Sequence, residues 1–271
     1  MQKPKILFLT NLKNSCREED LFLINYIKEY FEIIVAHPLN CEKYEDEVNL
    51  ILIRNIEPTS HYQKEFDKMR NRLLCKSIRV YPSLDSKGDI NGKNYLAELY
   101  SKGFPIIPTV NYKKEIEKLG EVKNYFIKPI IGGDSFDCHK ISKEKISDEN
   151  LKGKIIQPFI DFEYEISFYY IDDKLQYSLY VPDKRKRWDQ KMFKPTKKEI
   201  LFAKRFVDWN NMKRGIQRID VLKTKDGKLL LSEIEDIDPY LSLSEIDSDI
   251  RNKFLNNLVN SLKQLIKEER R

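Results

Sequence analysis

The strongest chemical signal is a short charged stretch near a tight turn. Asp226-Gly227 stands between two apolar runs, a pattern that predicts a β-hairpin. With those two residues as the loop, Lys225 faces Lys228. Counting outward then sets Asp220 opposite Glu233 and Arg218 opposite Glu235. Side chains alternate along a strand, so Arg218, Asp220, Glu233 and Glu235 share one face, and Leu222 and Leu231 join them there. Like charges directly opposed in a sheet repel unless something neutralises them. A hard divalent cation does so, and Mg²⁺ takes a few carboxylates together with substrate phosphates. Asp220, Glu233 and Glu235 are therefore candidate Mg²⁺ ligands, with Mn²⁺ as an alternative ion. A charged sheet surface held by an Arg218–Glu235 pair accounts for the same residues without a metal.

A second candidate lies upstream. Lys128 sits in the apolar run Tyr125–Ile131, just before Gly132-Gly133-Asp134-Ser135. Glycines let backbone N–H groups approach phosphate oxygens, and a lysine on the adjoining strand supplies a point charge. A plain β-hairpin with a surface lysine has the same pattern.

These residues need a scaffold, and the patterning supplies one. Lys5–Asn11, Phe31–His37, Val48–Ile56 and a short run near Arg79–Tyr81 read as strands alternating with helical stretches, the pattern of a small open α/β sheet. No GxGxxG follows the first strand, so a dinucleotide fold is not supported. The turn-rich stretch Asp85–Gly92 marks a boundary near 90. Beyond it come a helix at Lys93–Ser101, a strand at Phe104–Thr109, a helix near Tyr112–Leu119 and the strands Tyr125–Ile131 and Cys138–Ile141. Five longer strands follow: Lys154–Ile160, Tyr164–Ile171, Lys174–Val181, Ile216–Thr224 and Lys228–Ile237. A helix near Thr196–Trp209 interrupts them. The closing helix carries Ile250, Phe254, Leu258, Leu262 and Ile266 on one stripe. Three units are expected, at 1–90, 91–153 and 154–271.

Composition narrows the class. The chain has 41% hydrophobic and 34% charged residues over 271 positions, which describes a folded globular protein. The apolar run Ile6–Leu9 is too short for a signal core or a membrane span, so a cytoplasmic protein with no membrane partner is expected. Cys16, Cys41, Cys75 and Cys138 form no CxxC pair, which argues against a zinc site or a disulfide framework. The net charge of +6 comes from interspersed residues and gives no support for a nucleic-acid partner.

The order of motifs carries more than any one of them. Lys93 opens a helix leading to Gly-Phe-Pro-Ile-Ile-Pro-Thr (103–109). Then come Phe-Ile-Lys-Pro (126–129), the glycine loop, Gln-Pro-Phe-Ile (157–160), Glu-Tyr-Glu-Ile-Ser (163–167), Arg-Ile-Asp (218–220) and Glu-Ile-Glu-Asp-Ile-Asp-Pro (233–239). This series resembles the ATP-grasp superfamily over roughly the last two-thirds of the chain. It looks closest to the branch holding the O-ureidoserine cyclo-ligase of cycloserine biosynthesis, with glutathione synthetases and RimK-like glutamate ligases further off. The resemblance implies an α/β (α+β) ATP-grasp fold behind an N-terminal open α/β domain. It implies that Lys93 and Lys128 hold ATP phosphates, with Gly132, Gly133 and Ser135 in the phosphate loop. Gln157, Phe159 and Ile160 would line the adenine pocket, and Glu165 would lie on the ribose side. Arg218 and Lys128 would meet the reacting groups, and Asp220, Glu233 and Glu235 would bind Mg²⁺. Three positions depart from the family pattern: Glu235 where many members have Asn, Asp134 in the phosphate loop, and Tyr164 in place of a glycine.

The activity so implied is phosphoryl transfer from ATP to a carboxylate on a small molecule or peptide, followed by attack of a nucleophilic acceptor. A hydroxyl kinase of the same fold, or a nucleotide-binding module without catalysis, would use many of the same residues. The loop Asp183–Lys191, with five basic residues and Trp188, is either a solvated surface or a flap gathering an anionic substrate. An oligomer is compatible with the sequence.

Overall fold

The computed structural model describes residues 2–11, 18–56, 61–133, 137–186 and 188–268. Its first sheet is parallel, with strand order β2-β1-β3-β4. The strands are β1 (Lys5–Leu9), β2 (Glu32–Ala36), β3 (Leu50–Ile53) and β4 (Val80–Tyr81). Helices α1 (Glu18–Ile27) and α2 (Gln63–Cys75) fall between them. Ile6 to Leu9 and Leu50 to Ile53 are all buried, as expected for parallel strands covered on both faces.

Helix α3 (Asn94–Ser101) leads to a small antiparallel sheet ordered β6-β5-β7, made of β5 (Asn124–Pro129), β6 (His139–Ser142) and β7 (Lys154–Pro158). Because β7 pairs with β5, this sheet runs past the boundary expected at 153. The expected strand Phe104–Thr109 does not form. That segment makes only an isolated bridge, Ile106 to Leu231, with a second just beyond it, Val110 to Ile156. Pro105 and Pro108 have no N–H to give to a ladder, which is the physical reason. The expected helix near Tyr112 is a 3₁₀ segment, Lys113–Leu119.

The third sheet is antiparallel, with order β10-β9-β8-β11-β12. It comprises β8 (Phe162–Ile171), β9 (Lys174–Val181), β10 (Lys191–Met192), β11 (Ile216–Thr224) and β12 (Leu229–Glu235). Helix α4 (Lys197–Asn210) covers one face and starts at a capping box, Thr196 with Glu199. Helix α5 (Ser248–Lys267) buries Phe254, Leu258 and Leu262 in one core shared by the parallel sheet and the large sheet. The two sheets are thus fastened together by the stripe that the sequence predicts. No helix among the described residues is long and apolar enough to cross a membrane.

Candidate active site

The hairpin β11–β12 delivers the expected pairs: Arg218 faces Glu235 and Asp220 faces Glu233. The route differs from the sequence reading. Lys223 faces Leu229 near the turn, and Gly227 N–H donates to the Thr224 carbonyl at 2.8 Å, so the loop has one residue more than expected. Gly227 adopts φ +78°, which favours glycine. A bulge beside Asp220 leaves Ser232 unpaired and brings the register back. The loop shifts the pairing by one and the bulge reverses the shift. The consequence appears between them: Leu231 turns to the opposite face, into the core, and Ser232 takes the place expected for it.

The carboxylates do not lie on a solvated surface. They line a cavity of about 350 Å³ between the large sheet and the small one. Arg218 holds Asp220 through Nε to Oδ1 at 3.0 Å and Nη2 to Oδ2 at 2.9 Å, and also bonds Glu235 Oε1. Ser167 Oγ donates to Asp220 Oδ1 at 2.7 Å. On the other side, Lys93 Nζ lies 2.8 Å from Glu233 Oε1 and Lys128 Nζ lies 3.6 Å from Oε2.

These neighbours split the carboxylates. Burial would raise Glu233, but Lys93 and Lys128 overcome it and hold its carboxyl well below the usual range. Burial, with Asp220 and Glu233 close by, pushes Glu235 up to about 8 despite Arg218. Burial and the charge on Asp220 push Glu165 up to about 7. The cavity therefore carries more negative charge than its own cations neutralise comfortably.

Among the described residues, no three His, Cys, Asp or Glu side chains are gathered tightly enough to grip a metal unaided. Arg218 and the two lysines stand between the carboxylates. The donor chemistry nevertheless fits a hard cation, because every candidate ligand is a carboxylate oxygen on one face of one hairpin.

Lys93 precedes α3, and a turn places it. Asp236, fully buried after β12, accepts from Gly88 N at 3.0 Å and Ile90 N at 2.9 Å. Gly88 must be glycine here, since a Cβ would meet Asp236 Oδ2 at 2.7 Å. The turn so fixed presents Asp89, whose Oδ2 receives Lys93 Nζ at 2.7 Å, while Lys93 also donates to the Gly132 carbonyl at 2.9 Å. Lys93 thereby ties the glycine loop to the hairpin.

Gln157, on β7, donates to Thr109 Oγ1 at 2.9 Å. Phe159 and Ile160 follow the strand, and Phe159 is 45% exposed, tilted against Phe126 with Lys140 over its ring. With Glu165, Gly132 and Gly133 they line the same cavity as the hairpin. Ser135 lies outside the described residues. Of the basic loop, Trp188 and Gln190 reach the cavity, whereas Lys184 pairs with Asp161 and Arg185 with Asp183.

Sequence reasoning missed Asp89, Ser167 and Tyr240, all of which line the site. Asp89 left one trace, its spacing of four from Lys93, which is an ordinary helical pair. Ser167 stands in the sequence only as the last residue of the Glu-Tyr-Glu-Ile-Ser stretch, with no role read for it, and Tyr240 left no trace.

A scan of protein-family models gives no match, and neither does a search of curated protein sequences. The solved structures do match. The D-cycloserine synthetase DcsG superposes with a TM-score of 0.76 at 16% identity, covering 97% of this chain and all of that one. The ATP-grasp ligase PsnB, complexed with a phosphomimetic variant of its minimal precursor, Mg and ADP, gives 0.66 at 13% identity, with 94% of this chain and 98% of that one covered. The chain has the ATP-grasp fold. D-alanine–D-alanine ligase from Bacillus anthracis, complexed with ATP, gives 0.68 at 13% identity over 98% of this chain and all of the other. The ATP-grasp neighbours are ligases and synthetases, and two of these three hold a nucleotide.

Proposed function

We propose that the chain is an ATP- and Mg²⁺-dependent ligase that activates a substrate carboxylate as an acyl phosphate and passes the acyl group to a nucleophile. One observation carries the reading. Residues from two sheets and a turn meet in a single cavity: Lys93, Lys128 and Gln157 on one side, and Arg218, Asp220, Glu233 and Glu235 on the other. A nucleotide-binding module without catalysis has no use for Arg218 and three carboxylates at the phosphate end.

In this reading Gln157, Phe159, Ile160 and Glu165 hold the nucleoside, and Lys93 and Lys128 leave Glu233 to meet phosphate oxygens. Asp220, Glu233 and Glu235 would hold Mg²⁺, which supplies positive charge to the phosphates when bound. Arg218 orients the terminal phosphoryl group against the substrate carboxylate. The carboxylate oxygen bonds to phosphorus, the β–γ bridging bond breaks and ADP leaves. The acceptor then attacks the acyl carbon, the bond from that carbon to the phosphate oxygen breaks, and phosphate leaves with the bonding pair and takes up the acceptor's proton. The small sheet covers the site, and the residues contribute orientation and electrostatics.

The test withholds the natural nucleophile. With ATP, Mg²⁺, hydroxylamine and pools of amino acids and small carboxylates, a hydroxamate should form together with ADP. A stable phosphoester without hydroxamate would make the protein a kinase, and AMP as product would defeat both readings.

A further inference from the structure

Far from the carboxylate hairpin in sequence, the parallel sheet carries a charge cluster that the proposed chemistry does not use. Arg54 follows β3 and is 2% exposed. Its Nη2 donates to Glu19 Oε1 at 2.8 Å and to the Pro239 carbonyl at 3.0 Å, and its Nε lies 3.5 Å from Asp20 Oδ1. Glu19, in the first turn of α1, accepts from Leu241 N at 3.2 and 3.0 Å. Ile56 N donates to Asp238 Oδ2 at 2.8 Å. The stretch 238–241 is thus gripped from the parallel sheet at three points.

The same stretch is the wall of the active site. Arg218 Nη1 donates to the Tyr240 carbonyl at 3.2 Å, and Tyr177 OH donates to the Leu241 carbonyl at 2.7 Å. Tyr240 lines the cavity and meets Trp188 edge-on. Arg218 therefore has three anchors: Asp220, Glu235 and a backbone carbonyl whose place is set by Arg54 and Glu19. Two of the anchors are carboxylates that ATP-bound metal would draw away. The carbonyl is the one anchor that a bound cation does not compete for.

We infer that Arg54 and Glu19 are positioning residues: their buried pair fixes residues 239–241 and, through the Tyr240 carbonyl, aims the Arg218 guanidinium at the terminal phosphoryl group. The inference rests on the ligase reading of Arg218. Arginine suits position 54 because its planar fork lets Nη2 meet Glu19 and the Pro239 carbonyl while Nε faces Asp20, whereas a lysine ammonium gathers all its donors on one nitrogen.

Nucleotides test this without a known carboxylate. The full chain is titrated by calorimetry with AMPPNP and, separately, with ADP, each with Mg²⁺. Arg54→Lys and Glu19→Gln should each weaken AMPPNP about tenfold, the size of one charge-assisted hydrogen bond, and leave ADP within about twofold. Arg218→Lys should reproduce that split. Glu45→Gln, which removes a buried carboxylate of the same α/β region paired with Arg72 and Lys76 instead, should leave both affinities as they are. A purely structural role would weaken both nucleotides alike, and that result, or no change in either, overturns the inference. If Arg54→Lys fails to fold, Glu19→Gln decides. A wild-type chain that binds neither nucleotide would remove the ligase reading, and this inference with it.

Discussion

The two faces of the hairpin β11–β12 obey opposite rules. On one face Arg218, Asp220, Glu233 and Glu235 crowd charge into a partly buried cavity, where two carboxyls are pushed out of their ordinary range. On the other, Ile219, Val221, Leu231 and Ile234 are fully buried and pack with Phe168 of β8 and Phe206 of α4. The same strands hold both, one residue out of phase. The apolar face supplies the stability that lets the charged face stay unneutralised, so the two should fail in different ways when altered.

The largest effect should come from the charged face. Glu233→Gln or Asp220→Asn keeps the shape and removes a charge, and turnover per folded molecule should fall by orders of magnitude, far more than any loss of folded protein. Full activity in Glu233→Gln would mean that Glu233 holds no metal. On the opposite face, Phe168→Ala should cost about 3–5 kcal/mol in denaturant unfolding while the folded fraction keeps its turnover. A loss of turnover larger than the loss of folded protein would blur the division between the faces.

A smaller effect extends the comparison to Glu45, a carboxylate used only for stability. Its side chain is buried, with Arg72 Nη2 at 3.0 Å and Lys76 Nζ at 2.8 Å. Burial opposes its ionisation, but these partners win and its pKa is lowered on folding. A lowered carboxyl gives stability that is complete above the unfolded value of about 4.3 and is lost as pH falls through the folded value. Glu45→Gln should therefore lower the melting temperature at pH 7, and the gap from wild type should narrow on acidification below about pH 4. A gap independent of pH would show that the ion pairs contribute nothing.

How far the sequence could reveal this arrangement depends on the range of each signal. Apart from Phe104–Thr109, the strands, the α5 stripe and the facing pairs of the hairpin follow from local periodicity, and these are legible. The hairpin register near the turn is not, because a bulge at Ser232 is a property of the sheet's twist and neighbours rather than of a residue type. The expected pairing at Asp220 and Glu233 is correct because loop and bulge cancel, and the displaced Leu231 betrays the error. Arg54 and Glu19 could not be found at all, since their partners at 239–241 lie in another part of the chain. The grouping of Lys93, Lys128 and Glu233 rested on motif order, and the structure gives it distances.

The central claim is that this cavity binds ATP with Mg²⁺ at the carboxylate hairpin. Calorimetric titration of the full chain with ATP, in the presence and absence of Mg²⁺, tests it most directly. One saturable site should appear, and it should tighten with the metal. The folded state should be stabilised by about 2.7 kcal/mol at a hundredfold excess over the dissociation constant, with the Mg²⁺ dependence lost in Asp220→Asn. No heat and no thermal shift at millimolar ATP and Mg²⁺, in protein shown to be folded, would contradict it.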